Sequence, residues 1–435
     1  MDSAELSAEI AASLRIGTEM SLDRQLLRSA AGFAALLGGA ARRTAADREP
    51  DDGAVWTAFA SPVAHGAVLA AAVGEALAGL KKELVADSRH ASKDLGVTFS
   101  FPGLAPASVV SVSSWKRLAR AVGLRRALPA GALRPLPVAR LYGEYLFLAQ
   151  AVRYQAAEEA LSGTALVLTD FDRDNYCRPL VWAAKRHGVP TMTLVHGTPN
   201  ELNYVPVLAD WVAVWGAAQD EWFRRHSPGT ARAVIGRPEA EEFQQQAGPL
   251  RRVILCHSME ELSDTEAGAL RRLISELRDR RVACEVRLHP KVRHQKGLGS
   301  WETIAELADR TELAEGDLFA KLKPGDGVVA VTSSAVIQAC VAGYPVAVIA
   351  DPQRVLPADV ALVARQPDLL LSLADGGQGH AGAGASMEAL RTTLVAHTGQ
   401  ASRAALREAV DGILAPALHP SHNQSKQDEV EHERR

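Results

Sequence analysis

Short apolar, β-branched runs alternate along most of this chain with stretches whose apolar residues recur at helical spacing. The alternation is most regular after residue 160. Residues 165–169, 191–195 and 211–215 predict strands, with helices over 175–186 and 217–226. A second series predicts strands at 252–256, 282–288, 327–331 and 345–349, and a weak one at 311–314. Its helices fall at 265–280, 301–308, 316–322 and 335–342. Runs that are apolar at every position, rather than every second one, are what strands covered on both faces require. Strand–helix–strand units at this spacing imply right-handed crossovers and parallel sheets.

The pattern before residue 160 is less regular. Residues 1–50 are alanine-rich with helical spacing and break at Arg48-Glu49-Pro50-Asp51-Asp52-Gly53. Strands are expected near 54–59, 97–101 and 109–112, and a helix over 68–82. A long helix over 138–161 aligns Leu141, Tyr145, Leu148 and Val152 on one face. Polar residues ending in Gly-Pro at 244–249 suit a linker, 375–385 a glycine-rich loop, and the charged end a disordered tail. The expectation is an α/β chain of two Rossmann-like domains facing across a cleft. A helical extension fills 1–50, the N-terminal domain 51–243, the C-terminal domain 250–415 and a tail 416–435.

Bulk properties narrow the function little. The 435 residues exceed one ordinary core and suit two. A formal net charge of −3 supplies no global attraction to nucleic acid. Cys177, Cys256, Cys284 and Cys340 lack CxxC spacing, so they read as core residues of a reducing compartment. No apolar stretch reaches a membrane span, and the early Asp2, Glu5 and Glu9 are unlike a signal peptide, so a cytoplasmic location is expected. No GxxxxGK[ST] occurs, which argues against a P-loop NTPase.

Two strand ends carry the candidate chemistry. Arg287-Leu288-His289-Pro290-Lys291 places three cationic or titratable groups in one turn. Val331-Thr332-Ser333-Ser334 runs into a helix. Ligands of open α/β sheets collect at such ends, and an imidazole beside cations suits an anionic, phosphate-bearing donor. Ser333 and Ser334 also fit simple helix capping. The run from Thr169 to Asp174 reads as a polar loop capping the next helix, with Asp170 or Asp172 as the alternative of a catalytic carboxylate in the cleft. From Lys116 to Arg140 there is no acidic residue. That segment is either a solvated helix face or a peripheral contact with anionic lipid or polymer.

Further residues add a resemblance over roughly 160–350. Leu194-Val195-His196-Gly197-Thr198-Pro199, Ile235-Gly236-Arg237-Pro238, Arg287-Leu288-His289-Pro290, Thr332-Ser333-Ser334 and Gly343-Tyr344-Pro345 follow in that order. The succession resembles GT-B-fold transferases of bacterial surface polymers: CDP-glycerol glycerophosphotransferases, capsule-polysaccharide transferases and bacterial sialyltransferases. It departs from them in having Val195 before the first His-Gly and Val331-Thr332 before the Ser pair.

The resemblance implies a metal-independent glycosyltransferase with no cofactor beyond its nucleotide-activated sugar or polyol donor, CMP- or CDP-linked. The acceptor would be a glycan or polymer. His289 would touch the donor phosphate with Arg287, Lys291, Thr332, Ser333 and Ser334. His196 would act as base, with Gly197, Gly236 and Arg237 in the cleft and linker. The alternatives are a UDP-sugar transferase, a UDP-GlcNAc 2-epimerase-like enzyme or a non-catalytic GT-B scaffold.

Overall fold

The computed structural model describes residues 3–14, 25–27, 29–30, 33, 53–58, 67–86, 99–100, 112–129, 131–133, 140–173, 177–240, 249–258, 260–289, 292, 297–313, 322–354, 356–363, 370–371, 374–375 and 389–418. Two parallel sheets organise them. The first comprises β1 (Val55–Ala58), β2 (Lys82–Ala86), β3 (Phe99–Ser100), β4 (Leu166–Thr169), β5 (Thr191–Leu194), β6 (Trp211–Val214) and β7 (Ala231–Val234), in the order β3-β2-β1-β4-β5-β6-β7. The second comprises β8 (Arg252–Cys256), β9 (Ala283–Leu288), β10 (Arg310–Leu313), β11 (Asp326–Ala330) and β12 (Val346–Val348), in the order β10-β9-β8-β11-β12. This is the expected pair of Rossmann-like domains.

Helices cover both faces of each sheet, which is why the central strands are apolar throughout. On the first sheet, Trp56, Ala58 and Val167 pack towards α1 (Ser3–Ser13), α3 (Val112–Ala127), α4 (Arg140–Ala160) and α5 (Cys177–Arg186). Val55, Leu166, Leu168 and Met192 face the other way, onto α2 (Ala67–Ala76) and α12 (Gly399–Leu418). In the second sheet Ile254, Cys256, Val328 and Ala330 meet α10 (Ala335–Val341), while Val253, Leu255, Cys284 and Val286 meet α8 (Asp264–Asp279) and α9 (Glu302–Leu307). Ser263 begins α8 with a complete capping box to Glu266, the reciprocal pairing that satisfies two otherwise orphaned N–H groups.

Several expectations change. The helix expected over 68–82 ends at Ala76, and Gly79, at φ +82°, turns the chain into β2. Residue 112 opens α3 instead of closing a strand. Strand β7 was not expected: four partly exposed residues at a sheet edge carry little hydrophobic signal. The largest correction concerns the C-terminus. Leu406, Val410, Ile413 and Leu414 lie along one stripe of α12 and complete the core of the first sheet, so 399–418 returns to the N-terminal domain. The expected helix over 316–322 falls almost wholly outside the described residues, as do most of the glycine-rich loop and residues 419–435 of the tail.

Candidate functional site

Both strand orders reverse direction once. In the first sheet the chain leaves β1 in one direction and later resumes at β4 on its other side; in the second the reversal lies between β8 and β11. Adjacent crossovers then diverge, which opens a crevice at the carboxyl ends of those strands, where α/β proteins hold ligands.

Asp170 follows β4 at the first reversal. Its carbonyl receives His196 Nδ1 at 2.6 Å, and the ring of His196 stands edge-on to Phe171 at 5.7 Å. A carbonyl can only accept, so Nδ1 carries the proton and Nε2 is the basic nitrogen. The hydroxyl of Tyr204, at the end of α6 (Glu201–Tyr204), lies 3.4 Å from Nδ1, and burial raises its pKa. Asp170 itself is buried, its Oδ1 3.9 Å from the Cys177 thiol. It therefore orients His196 through its main chain.

Asp172 does not fit the catalytic reading. It is fully buried, and its Oδ2 accepts the backbone N–H groups of Leu208 at 2.5 Å and Ala209 at 2.9 Å. Burial raises its pKa against the pull of those two bonds. A carboxylate so enclosed pins the loop before β6 and has no surface to offer a substrate.

At the second reversal, His257 follows β8 and His289 follows β9, the neighbouring strand. The His289 N–H points to His257 Nδ1 at 3.4 Å, and the His257 N–H donates to the Arg287 carbonyl at 3.0 Å. The His257 ring packs 5.0 Å from Trp301. Burial, with the neighbouring His289 second, lowers the His257 pKa to about 4, so it is neutral at pH 7. Arg287 is buried, and by strand alternation its side chain shares the sheet face of Glu285 and Cys256, the face covered by α10.

Thr332, Ser333 and Ser334 follow β11, across the reversal from His257. The Ser333 hydroxyl accepts the Ala335 N–H at 3.2 Å. Ser334 is the N-cap of α10 but makes no capping bond with its side chain. The second domain thus sets His257 and His289 together at adjacent strand ends, with the hydroxyl triplet following the strand on the other side of β8, while Lys291 lies outside the described residues.

One buried network spans the two domains. Gln219 of α7 (Ala217–His226) accepts the Trp215 N–H through Oε1 at 2.9 Å; its Nε2 donates to the Gly197 carbonyl at 3.3 Å and to Asp359 Oδ2 at 2.8 Å. Asp359 belongs to α11 (Ala358–Leu362) of the second domain, and burial raises its pKa to about 6. Gly197, beside His196, is thereby tied to the opposite domain. Gly236 sits at φ +77° where a Cβ would run into the His397 main chain, and the Arg237 N–H donates to the His397 carbonyl at 2.9 Å. The Arg237 guanidinium lies over the Trp215 ring at 4.7 Å. Gly236 and Arg237 therefore form the junction where the chain returns towards α12.

Sequence reasoning missed His257, Tyr204, Gln219 and Asp359. His257 had the same signal as His289, an imidazole just after a β-branched strand, without a following proline. The other three act through partners distant in sequence. Among the described residues, no group of three or more His, Cys, Asp and Glu side chains is placed to hold a metal ion.

No protein-family model matches the chain, and no curated protein matches its sequence. Solved structures do share its outline. A putative UDP-N-acetylglucosamine 2-epimerase from Listeria monocytogenes is 12% identical with a TM-score of 0.48, over 86% of this chain and 98% of that one. Acinetobacter baumannii MurG is 14% identical with a TM-score of 0.45, over 83% and 99%. Neisseria meningitidis UDP-GlcNAc 2-epimerase bound to UDP-GlcNAc is 12% identical with a TM-score of 0.43, over 84% and 99%. Likenesses this distant carry no argument about chemistry, and the two-domain architecture stands on the strand orders above.

Proposed function

We propose that the chain is a GT-B-type glycosyltransferase that moves a sugar or polyol phosphate from a nucleotide-activated donor to an acceptor hydroxyl. The observation that carries this reading is the contact between His257 and His289 at adjacent strand ends, beside the reversal bordered by Ser333 and Ser334. A donor phosphate there would meet the hydroxyls of Ser333 and Ser334 and an imidazole able to donate a proton, while Arg287 is buried on the face under α10. His257, neutral and fixed against Trp301, holds the His289 backbone in place.

In the reaction, the acceptor oxygen bonds to the transferred group and the bond to the leaving nucleotide phosphate breaks. The acceptor proton passes to His196 Nε2, and His289 donates to the departing phosphate oxygen. His196 is set for this by the Asp170 carbonyl, which fixes its tautomer. Domain closure would exclude water, so that transfer outruns hydrolysis.

A CMP- or CDP-linked donor is our first choice and a UDP-sugar the second. A thermal-shift panel of CMP, CDP, UMP, UDP and GDP separates them. The proposal fails if no nucleotide stabilises the protein, or if stabilisation persists unchanged in a His289→Ala, Ser334→Ala double variant. A non-catalytic scaffold is excluded by donor hydrolysis that His289→Ala abolishes.

A further inference from the structure

Helix α3, Val112–Ala127, carries five cations and no acidic residue. Its packing on α4 divides them. Arg117 bonds Glu159 through Nε and Nη2 at 3.0 and 2.6 Å, with Arg120 sharing the same carboxylate at 3.4 Å. Arg125 forms a bidentate pair with Glu144 at 2.6 and 2.7 Å. Five cations are thus answered by two carboxylates. Among the described residues, Lys116 and Arg126 have no acidic partner.

Among the described side chains of α3, the exposed ones are Trp115, Lys116, Ala119, Arg120, Gly123, Arg126 and Ala127, which share one helical face. Small residues alternate there with cations, so an opposing surface can approach the helix closely. Trp115, 49% exposed, stands at one end of this strip, which is about 19 Å long. At the other end Leu141 is 47% exposed, one turn before Glu144, the partner of Arg125. Arg140 beside it is exposed as well. The neighbouring groove of about 380 Å³ between α1, α3 and α4 shares Arg120, Gly123 and Ala127 with the strip and adds one ion pair, Arg186 with Glu158 at 2.6 Å.

We infer that the exposed face of α3 docks on an anionic phospholipid bilayer. Charge complementarity supplies the attraction, since cations held at an anionic leaflet each add to binding. The ends distinguish a bilayer from a soluble polyanion: an exposed indole and an exposed leucine flanking a cationic strip gain nothing from a polymer in water. They do gain from the headgroup–acyl boundary, where tryptophan is favoured. Binding is peripheral, for among the described residues no helix is long and apolar enough to cross a membrane. The inference is independent of the proposed reaction.

Co-sedimentation of the full chain tests it, using vesicles of phosphatidylcholine alone and of phosphatidylcholine with phosphatidylglycerol in equal parts. The expected result is binding to the anionic vesicles only, weakened by salt. Each cation contributes about fivefold to partitioning. The Lys116→Glu, Arg126→Glu double variant should therefore lose at least an order of magnitude, and Trp115→Ala several-fold, both with an unchanged thermal midpoint. Equal binding to both vesicles, absence of binding, or retention in the double variant overturns the inference. So does capture by heparin as tight as by the vesicles and indifferent to Trp115→Ala, which would make the partner a soluble polyanion.

Discussion

Gln219 Nε2 donates to Asp359 Oδ2 at 2.8 Å, and this buried hydrogen bond joins the first domain to the second. The same Nε2 reaches the Gly197 carbonyl next to His196. The main chain beside His196 in one domain and α11 of the other are thus held in one network, with the second oxygen of Asp359 buried and without a hydrogen-bond partner. A carboxyl in that setting favours its neutral form.

Asp359 therefore makes stability depend on pH. Its pKa rises from 3.8 unfolded to about 6 folded, so the folded state binds the proton more tightly. Its stabilising contribution is complete below the unfolded value and is lost as pH rises through about 6. Asp359→Asn should remove this component, flattening the thermal midpoint between those two pH values. An unchanged profile in the variant would show that the carboxyl is not buried as described.

His257 acts in the opposite sense. Its pKa falls from 6.5 to about 4, so its contribution is present above 6.5 and lost as pH falls through about 4. His257→Gln should soften acid denaturation in that range and weaken nucleotide protection by loosening His289. Urea titrations across the range, with and without nucleotide, read both effects.

His196→Ala should lower kcat by roughly 10²–10⁴, the range for losing a general base, while leaving donor binding near wild type. His289→Ala should weaken donor binding as well. A fall in donor affinity alone for His196→Ala, measured by titration calorimetry against single-turnover rates, would move His196 to the donor side.

Asp172 should behave as a structural residue. Asp172→Ala strips the acceptor from two buried N–H groups and should cost about 1–3 kcal/mol. Asp172→Asn keeps an acceptor oxygen and should stay close to wild type in both stability and turnover. Loss of turnover in a stable Asn variant would restore the catalytic reading.

Gly236→Ala adds a Cβ at φ +77° against the His397 main chain. Both the backbone conformation and the collision oppose it, so the cost should exceed about 1 kcal/mol. Gly197→Ala meets no atom within 4 Å and serves as the control. Equal midpoints for the two would mean that the junction gives way easily.

The core strands of both domains were legible in sequence because strands covered on both faces are apolar at successive positions, as in residues 166–168 and 253–256. Two strands of the first sheet, β7 at its edge and β2 between β3 and β1, were not. Strand β7 is partly exposed and shows no such run, and β2 begins Lys82-Glu83. The apolar stripe of α12 was present in the sequence, but nothing in it says which of two sheets it covers. The site divides in the same way. His196, His289 and the Ser333-Ser334 pair follow β-branched runs, so strand-end logic finds them. The burial of Asp172 under the loop before β6 leaves no local mark.

The two parallel sheets and the residues standing at their carboxyl ends follow from local pattern, because hydrophobic period and turn chemistry are properties of neighbouring residues. Which of those residues meet is a matter of packing. His257 with His289, Asp170 with His196, and Gln219 with Asp359 are brought together by strand order and by the return of the chain through Gly236 and His397. Those contacts depend on how sheets and crossovers pack, a relation between distant segments that no local pattern encodes.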